Sequence, residues 1–161
     1  MDDIKKGFEP FYDCHSLVLI LGSFPSVLSR EEGFYYGNKR NRFWNILSEF
    51  FCEKTPRSVD DKKKFLSEKH IALWDVVEEC EIIGSMDSAI KNYRVADIEN
   101  LLQKINVRLI ILNGGKAYDI FMKNFSEIRT DYIKLPSTSP ANFRFSKEEW
   151  FDALSRVFER T

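Results

Sequence analysis

The segment LVLILGSFPSVLSREEGFYYGNKRNRFW, Leu17 to Trp44, runs from a wholly aliphatic stretch into a turn and then into an aromatic, basic and amide-rich loop. Leu17 to Gly22 reads as a strand buried on both faces, since it has no polar alternation. The break at Gly22-Ser23-Phe24-Pro25-Ser26 is a glycine, proline and serine turn. A strand that opens this way presents backbone N–H groups at the carboxyl edge of a sheet, where open α/β folds bind ligands. Tyr35, Tyr36 and Asn41 follow within twenty residues, a supply of stacking surfaces and a hydrogen-bonding amide suited to a flat heterocycle.

Outward from this segment, helical and strand periods alternate. Asn41 to Phe51 places Phe43, Ile46, Leu47 and Phe50 on one helical face. Asp60 to Lys69 is a charged helix and Ile71 to Val77 an apolar strand. Asp97 opens a helix with Ile98, Leu101, Leu102 and Ile105 at helical spacing, and is placed to cap it. Arg108 to Asn113 is a strand, Lys116 to Asn124 a helix, and Tyr132 to Leu135 a short strand. Ser146 with Glu149 forms a capping-box pattern for a last helix reaching about Arg160. Four strands separated by helices predict one α/β domain over residues 1–161. Its expected form is a three-layer α/β/α sandwich with a central four-stranded parallel sheet. Glu78 to Arg94 is expected as a long loop, with Gly84, Ser85, Asp87 and Ser88 near the site.

Composition narrows the class. The chain of 161 residues is 43% hydrophobic and 30% charged with net charge −1, as expected of a water-soluble domain rather than a basic DNA-coating protein. Aromatic residues reach 14%, more than a core of this size requires, so some are expected at a binding surface. No apolar run approaches the roughly 20 residues that span a bilayer. Met1-Asp2-Asp3 lacks the basic start of an export signal, so a cytoplasmic, prokaryotic-type location is expected. Cys14, Cys52 and Cys80 form no CxxC pair, and His15 and His70 complete no ligand pattern with them. No metal or cofactor is expected, and the three thiols are expected to be partly buried. Lys62, Lys63 and Lys64 read as a solvated face.

Four loops follow the four strands and converge on one sheet edge. They are GSFPS with the tyrosine segment, the loop after Asp75, Asn113-Gly114-Gly115-Lys116, and Leu135-Pro-Ser-Thr-Ser-Pro-Ala-Asn142. Glycines and a lysine at a helix start suit an anion, and the hydroxyls of Ser137 and Ser139 suit a phosphate. Such a site, with stacking rings and no evident nucleophile, points to a nucleotide or nucleic acid. Asn41 is equally placed to cap the following helix, Tyr36 to pack in the core, and Ser137 to serve only the turn. Phe43 and Trp44 are expected in the core, and Asp75 either works in the site or caps its loop.

GSFPS followed by GFYYGNKRNRFW resembles the first motif region of the uracil-DNA glycosylase superfamily, whose mismatch-specific branch reads G-x-N-P-G and later NRFW. IALWDVVEECEIIGSMDSAI, IILNGGKA and LPSTSPAN are similar to the hypoxanthine-DNA (DNA-deoxyinosine) glycosylase branch, so the resemblance extends from Leu17 to Asn142. It implies a glycosylase of the base-excision repair type that flips a deaminated base from DNA, hypoxanthine first, and hydrolyses its N-glycosidic bond. Uracil or mixed specificity, or a non-catalytic nucleic-acid-binding module, remain alternatives. The resemblance implies Asn41 as the catalytic residue guiding water, and Tyr36 as the stacking ring. Base contacts are expected at Gly22, Ser23, Phe24, Tyr36 and Asn113, and DNA phosphate contacts at Gly114, Lys116, Ser137 and Ser139. The expected partner is DNA, engaged by a monomer. Three positions depart from the superfamily pattern. Phe24 stands where most branches carry Asn or Asp, Leu135 where they carry His or Asn, and Ser139 where they carry an intercalating leucine.

Overall fold

The structure, a computed structural model, describes residues 4–81 and 91–159. In chain order its elements are β1 (Ile4–Lys6), β2 (Val18–Gly22), α1 (Val27–Glu32), α2 (Phe43–Phe50), α3 (Val59–Glu68), β3 (Ile71–Asp75), β4 (Val77–Glu81), β5 (Lys91–Val95), α4 (Ile98–Lys104), β6 (Leu109–Asn113), α5 (Gly115–Asn124), β7 (Tyr132–Leu135) and α6 (Lys147–Ser155).

The expected four-stranded parallel sheet is present, in the order β3-β2-β6-β7, with helices flanking it. All five residues of β2, β3 and β6 are buried, as aliphatic strands covered on both faces must be. Burial of Leu19, Ile20, Leu21, Ile110, Ile111 and Leu112 contributes about 1.5–3 kcal/mol for each side chain and fixes the register of the two inner strands. The chain leaves β2 for β3 on one side and later returns to β6 on the other. That reversal opens a crevice at the carboxyl ends of β2 and β6. Register places Gly22 beside Asp75 and Asn113 beside Leu135 along the same rim.

Several expectations are corrected. Part of the stretch read as a loop is strand: β4 and β5 pair antiparallel and join β1 in a second, three-stranded sheet. Only Val77 and Cys80 of β4 are buried, and its carboxylates reach cross-strand partners, Arg94 for Glu78 and Glu79 and Asn92 for Glu81. Gly84, Ser85, Asp87 and Ser88 lie outside the described residues. The helix expected from Asn41 starts at Phe43, and the last helix ends at Ser155 rather than near Arg160. Ser146 makes no side-chain cap bond, so the capping box is not formed; Glu148 and Glu149 complement the helix dipole instead. Asp97 does cap α4, accepting from the Asn100 amide.

Polar and thiol residues also differ from expectation. Lys62 is 5% exposed, ion-paired with Glu32 and set over the Trp44 ring, because its long stem lies on the apolar face of α3. Of the three cysteines only Cys80 is buried; Cys14 and Cys52 sit in exposed turns. Phe43 and Trp44 are core residues, as their helical positions required.

Candidate active site

The carboxyl rim of the parallel sheet opens into a cavity of about 560 Å³. Gly22 to Ser26, Tyr35, Tyr36, Asn38, Asn41, Asp75, Asn113 and residues 137–142 line it. Of the residues singled out from sequence, Gly22, Ser23, Phe24, Tyr36, Asn41, Asn113, Ser137 and Ser139 converge here. Gly114 and Lys116 do not line the cavity; they stand behind its rim, at the start of α5.

Tyr36 has a left-handed backbone, φ +54°, which is unusual for a residue with a side chain. The neighbourhood imposes it. The Trp44 indole donates to the carbonyls of Tyr35 and Tyr36 at 3.2 and 3.1 Å. The Gly37 amide donates to Ser29 Oγ at 2.9 Å, and a Cβ at Gly37 would stand 3.0 Å from Ser29 Cα. The Tyr36 ring lies on Phe43 with centroids 4.0 Å apart, which fixes its plane. A left-handed backbone at such a residue costs of order 1–3 kcal/mol.

Asn41 precedes α2. Its Oδ1 accepts the Phe43 amide at 2.9 Å, so the capping role read from sequence is real but comes from one residue ahead of the cap position, which Arg42 holds. Asn41 also lines the cavity. Arg42 then ties this segment to the last loop. Its backbone amide donates to Thr138 O and its guanidinium to Ser139 O, both at 3.0 Å, and it rests over the Phe145 ring.

Asn113 and Thr138 clasp each other: Nδ2 donates to Oγ1 and the Thr138 amide donates to Oδ1, each at 3.0 Å. This holds the β6 and β7 loops together and leaves Asn113 one N–H. Gly114 adopts φ +100°, and its N–H donates to Leu112 O and Leu135 O, so that amide is committed to the sheet. A Cβ there would meet Ser137 Cβ at 3.0 Å. Ser137 Oγ accepts from the Ser139 amide and Ser139 Oγ from the Ala141 amide. Each hydroxyl therefore still has its own hydrogen to donate.

Phe24 is 9% exposed, with the Arg30 guanidinium 5.7 Å over its ring, and its side chain adds apolar wall to the cavity. Asp75, which the sequence left open, is 4% exposed and lines the cavity. Its charge reaches Tyr35: burial first, and then Asp75, hold that hydroxyl well above its ordinary range, and it donates to Glu9 O at 2.8 Å. Sequence reasoning also missed Thr138 and Asn142. Asn142 Nδ2 donates to Ser137 O and its Oδ1 accepts from the Arg144 amide, so the turn is locked on both sides of Phe143, which is 95% exposed. The spacing Asn113…Thr138 carries no local signal; the Asn-Phe-Arg tip of a Ser/Pro loop does. No group of three His, Cys, Asp or Glu side chains suited to a metal occurs among the described residues. Nor does any helix there have the length and apolarity to cross a membrane.

Comparison with known proteins adds to this geometry. The family described as the Uracil DNA glycosylase superfamily matches residues 9–158. A Methanosarcina acetivorans protein named hypoxanthine DNA glycosylase is 37% identical over 154 residues, 91% of this chain and 96% of that protein. One of the same name from Methanosarcina barkeri is 26% identical over 156 residues, 94% of this chain and 99% of its own length. A solution NMR structure of a Methanosarcina acetivorans uracil DNA glycosylase candidate superposes with a TM-score of 0.84. It is 34% identical and covers 96% of this chain and 98% of that one.

Proposed function

Because the chain belongs to the uracil DNA glycosylase superfamily, we propose that it is a DNA repair glycosylase that hydrolyses the N-glycosidic bond of a deaminated base, hypoxanthine above all. The observation that carries this reading is the cavity at the sheet rim, which brings Asn41, Tyr36 and the Ser137–Ser139 loop to one place. Its volume lies within the range of about 300–1,000 Å³ usual for small-molecule sites. The two relatives named hypoxanthine DNA glycosylase support the choice of base.

Each group has work in that reaction. A target base leaves the stack and enters the cavity, because its glycosidic bond is not accessible inside a duplex. The Tyr36 ring holds it flat. As the C–N bond breaks, positive charge grows on the sugar and negative charge on the departing base. Asn41 lines the cavity and its acceptor is engaged by Phe43, so in this reading its amide donor stabilises charge gathering on the base. Water then adds its oxygen to the sugar carbon, one of its protons accompanying the base. A cationic sugar needs only a positioned water, which accommodates Phe24 in the first turn.

On the DNA side, the O–H groups of Ser137 and Ser139 and the Lys116 ammonium contact phosphates flanking the lesion. Lys134 joins them, its Nζ 3.9 Å from the Cβ position of Gly115. Gly114 acts by conformation rather than by its amide. Phe143 fills the gap the flipped base leaves, in place of the apolar residue that Ser139 cannot supply. The enzyme acts inside the cell as a monomer and without metal.

The test is release of free base from matched duplexes carrying one deoxyinosine, deoxyuridine or deoxyxanthosine. We expect hypoxanthine to be released fastest. Preferred release of uracil would reassign the substrate, and binding without release of any base would reduce the protein to a recognition module.

A further inference from the structure

Lys62 sits on α3 beside two further lysines, yet it is 5% exposed while Lys63 and Lys64 face solvent. Burying an ammonium is costly, and a buried ion pair is a weak source of stability compared with an apolar side chain of similar volume. What Lys62 touches gives it another use. Its Nζ donates to Oε1 of Glu32, the last residue of α1, at 2.5 Å, and stands 5.3 Å from the centre of the Trp44 ring on α2. One cation thus joins three helices behind the cavity. Lys62, Glu32 and Trp44 are not among the residues that line it.

Both partners bear on the same short stretch of chain. The Trp44 indole donates to the carbonyls of Tyr35 and Tyr36. The Glu32 side chain packs on Gly37, where a Cβ would stand 2.9 Å from Oε2 and 3.2 Å from Glu32 Cβ. Tyr36, between these two holds, has φ +54°, a conformation that a residue with a side chain keeps only where surrounding contacts maintain it. We propose that Lys62 is a positioning residue: by clasping Glu32 and covering Trp44 it holds the turn at Tyr36 and Gly37, and so sets where the Tyr36 ring meets the flipped base. The inference rests on the glycosylase reading of the cavity and adds to it a determinant that never touches the base. A neutral side chain could fill the space on α3, but it could not grip a carboxylate and an indole face at once. A misplacement of about 1 Å at a reacting centre can cost roughly a hundredfold in rate.

The experiment compares wild type with Lys62→Met, which keeps most of the stem and removes the charge, and Lys62→Arg, which keeps the charge. Replacing Tyr36 by 3-fluorotyrosine reports the ring through its fluorine resonance, and the same label at Tyr132 on β7 is the control. The Tyr36 resonance is expected to shift or broaden in Lys62→Met and to return toward its wild-type position in Lys62→Arg, with the Tyr132 resonance unchanged. In single turnover, Lys62→Met is expected to release hypoxanthine at least tenfold more slowly than wild type, and Lys62→Arg to recover most of the rate. Affinity for a duplex bearing a stable abasic-site analogue should stay within twofold throughout. A Tyr36 resonance that stays put in folded Lys62→Met, equal movement of both resonances, or release within twofold of wild type would assign Lys62 a merely structural role. Should Lys62→Met fail to fold, Glu32→Gln, which leaves Lys62 in place and weakens the clasp, supplies the same comparison. Absence of hypoxanthine release by the wild type would overturn the glycosylase reading, whereas the resonances would still report whether Lys62 holds the turn.

Discussion

Single side chains in this protein carry opposite kinds of information. Tyr36 is placed by its left-handed backbone, φ +54°, and by packing on Phe43, which is the support for its proposed stacking role. Phe143 stands at the opposite extreme: the chain leaves a phenyl ring 95% exposed on a turn locked by Asn142. Base–aromatic stacking is worth about 1–3 kcal/mol. Phe143→Ala should therefore slow excision from duplex DNA by roughly tenfold. Excision from single strands, where no stack needs refilling, should stay within twofold. Equal loss on both substrates, with an unchanged melting temperature, would remove Phe143 from base flipping. Asn41 was singled out from sequence with two roles, helix capping and catalysis, that could coexist; the structure shows the capping bond. Its Oδ1 caps α2, and the residue also lines the cavity.

At the scale of elements, legibility followed hydrophobic period. β2, β3 and β6 were evident because strands buried on both faces read as near-continuous apolar runs, β7 from its short Tyr132–Leu135 run although only Leu135 is buried, and α2 because Phe43, Ile46, Leu47 and Phe50 share a face. β4 was not, since Glu78, Glu79 and Glu81 are poor strand formers; its pairing rests on Arg94 and Asn92 from β5, which no local window reveals. α1 is six residues with little apolar face, and only Ser26 accepting the Ser29 amide and the left-handed Gly33 mark its ends. The β6–α5 junction gives the sharpest prediction. Gly114→Ala places a Cβ at φ +100° and 3.0 Å from Ser137 Cβ. It should cost about 1–3 kcal/mol, seen as a lower urea midpoint. Excision should weaken as well, because the displaced Ser137 loop also carries Thr138 and Ser139. An unchanged midpoint would mean that the junction relaxes freely.

For the whole molecule, the arrangement of the site was readable only as convergence: four loops after four strands, brought to one rim by strand order. The inner contacts, Asn113 with Thr138 and Arg42 with Ser139, join residues 25 and 97 positions apart and have no signature in the sequence. Global stability carries a pH signature. Burial raises the Cys80 thiol above its ordinary 9.0 and the Tyr35 hydroxyl above 10.0. In both, the folded state holds the proton more tightly than the unfolded state. Their contribution is complete below the unfolded values and is lost as pH rises through the folded ones. The urea midpoint should hold up to about pH 8.5 and fall above about pH 9, and Tyr35→Phe should remove part of the fall near pH 10 and beyond; a midpoint that rises with alkali would contradict this. The most direct measurement is single-turnover hypoxanthine release from a deoxyinosine duplex by wild type, Asn41→Ala and Asn41→Asp. Asp retains the cap on the Phe43 amide but turns an acceptor toward the cavity. If Asn41 acts as a donor to the departing base, both variants lose at least a hundredfold while staying folded and DNA-bound. Near wild-type release by Asn41→Asp would show that the residue activates water instead, and near wild-type release by Asn41→Ala would remove it from catalysis altogether.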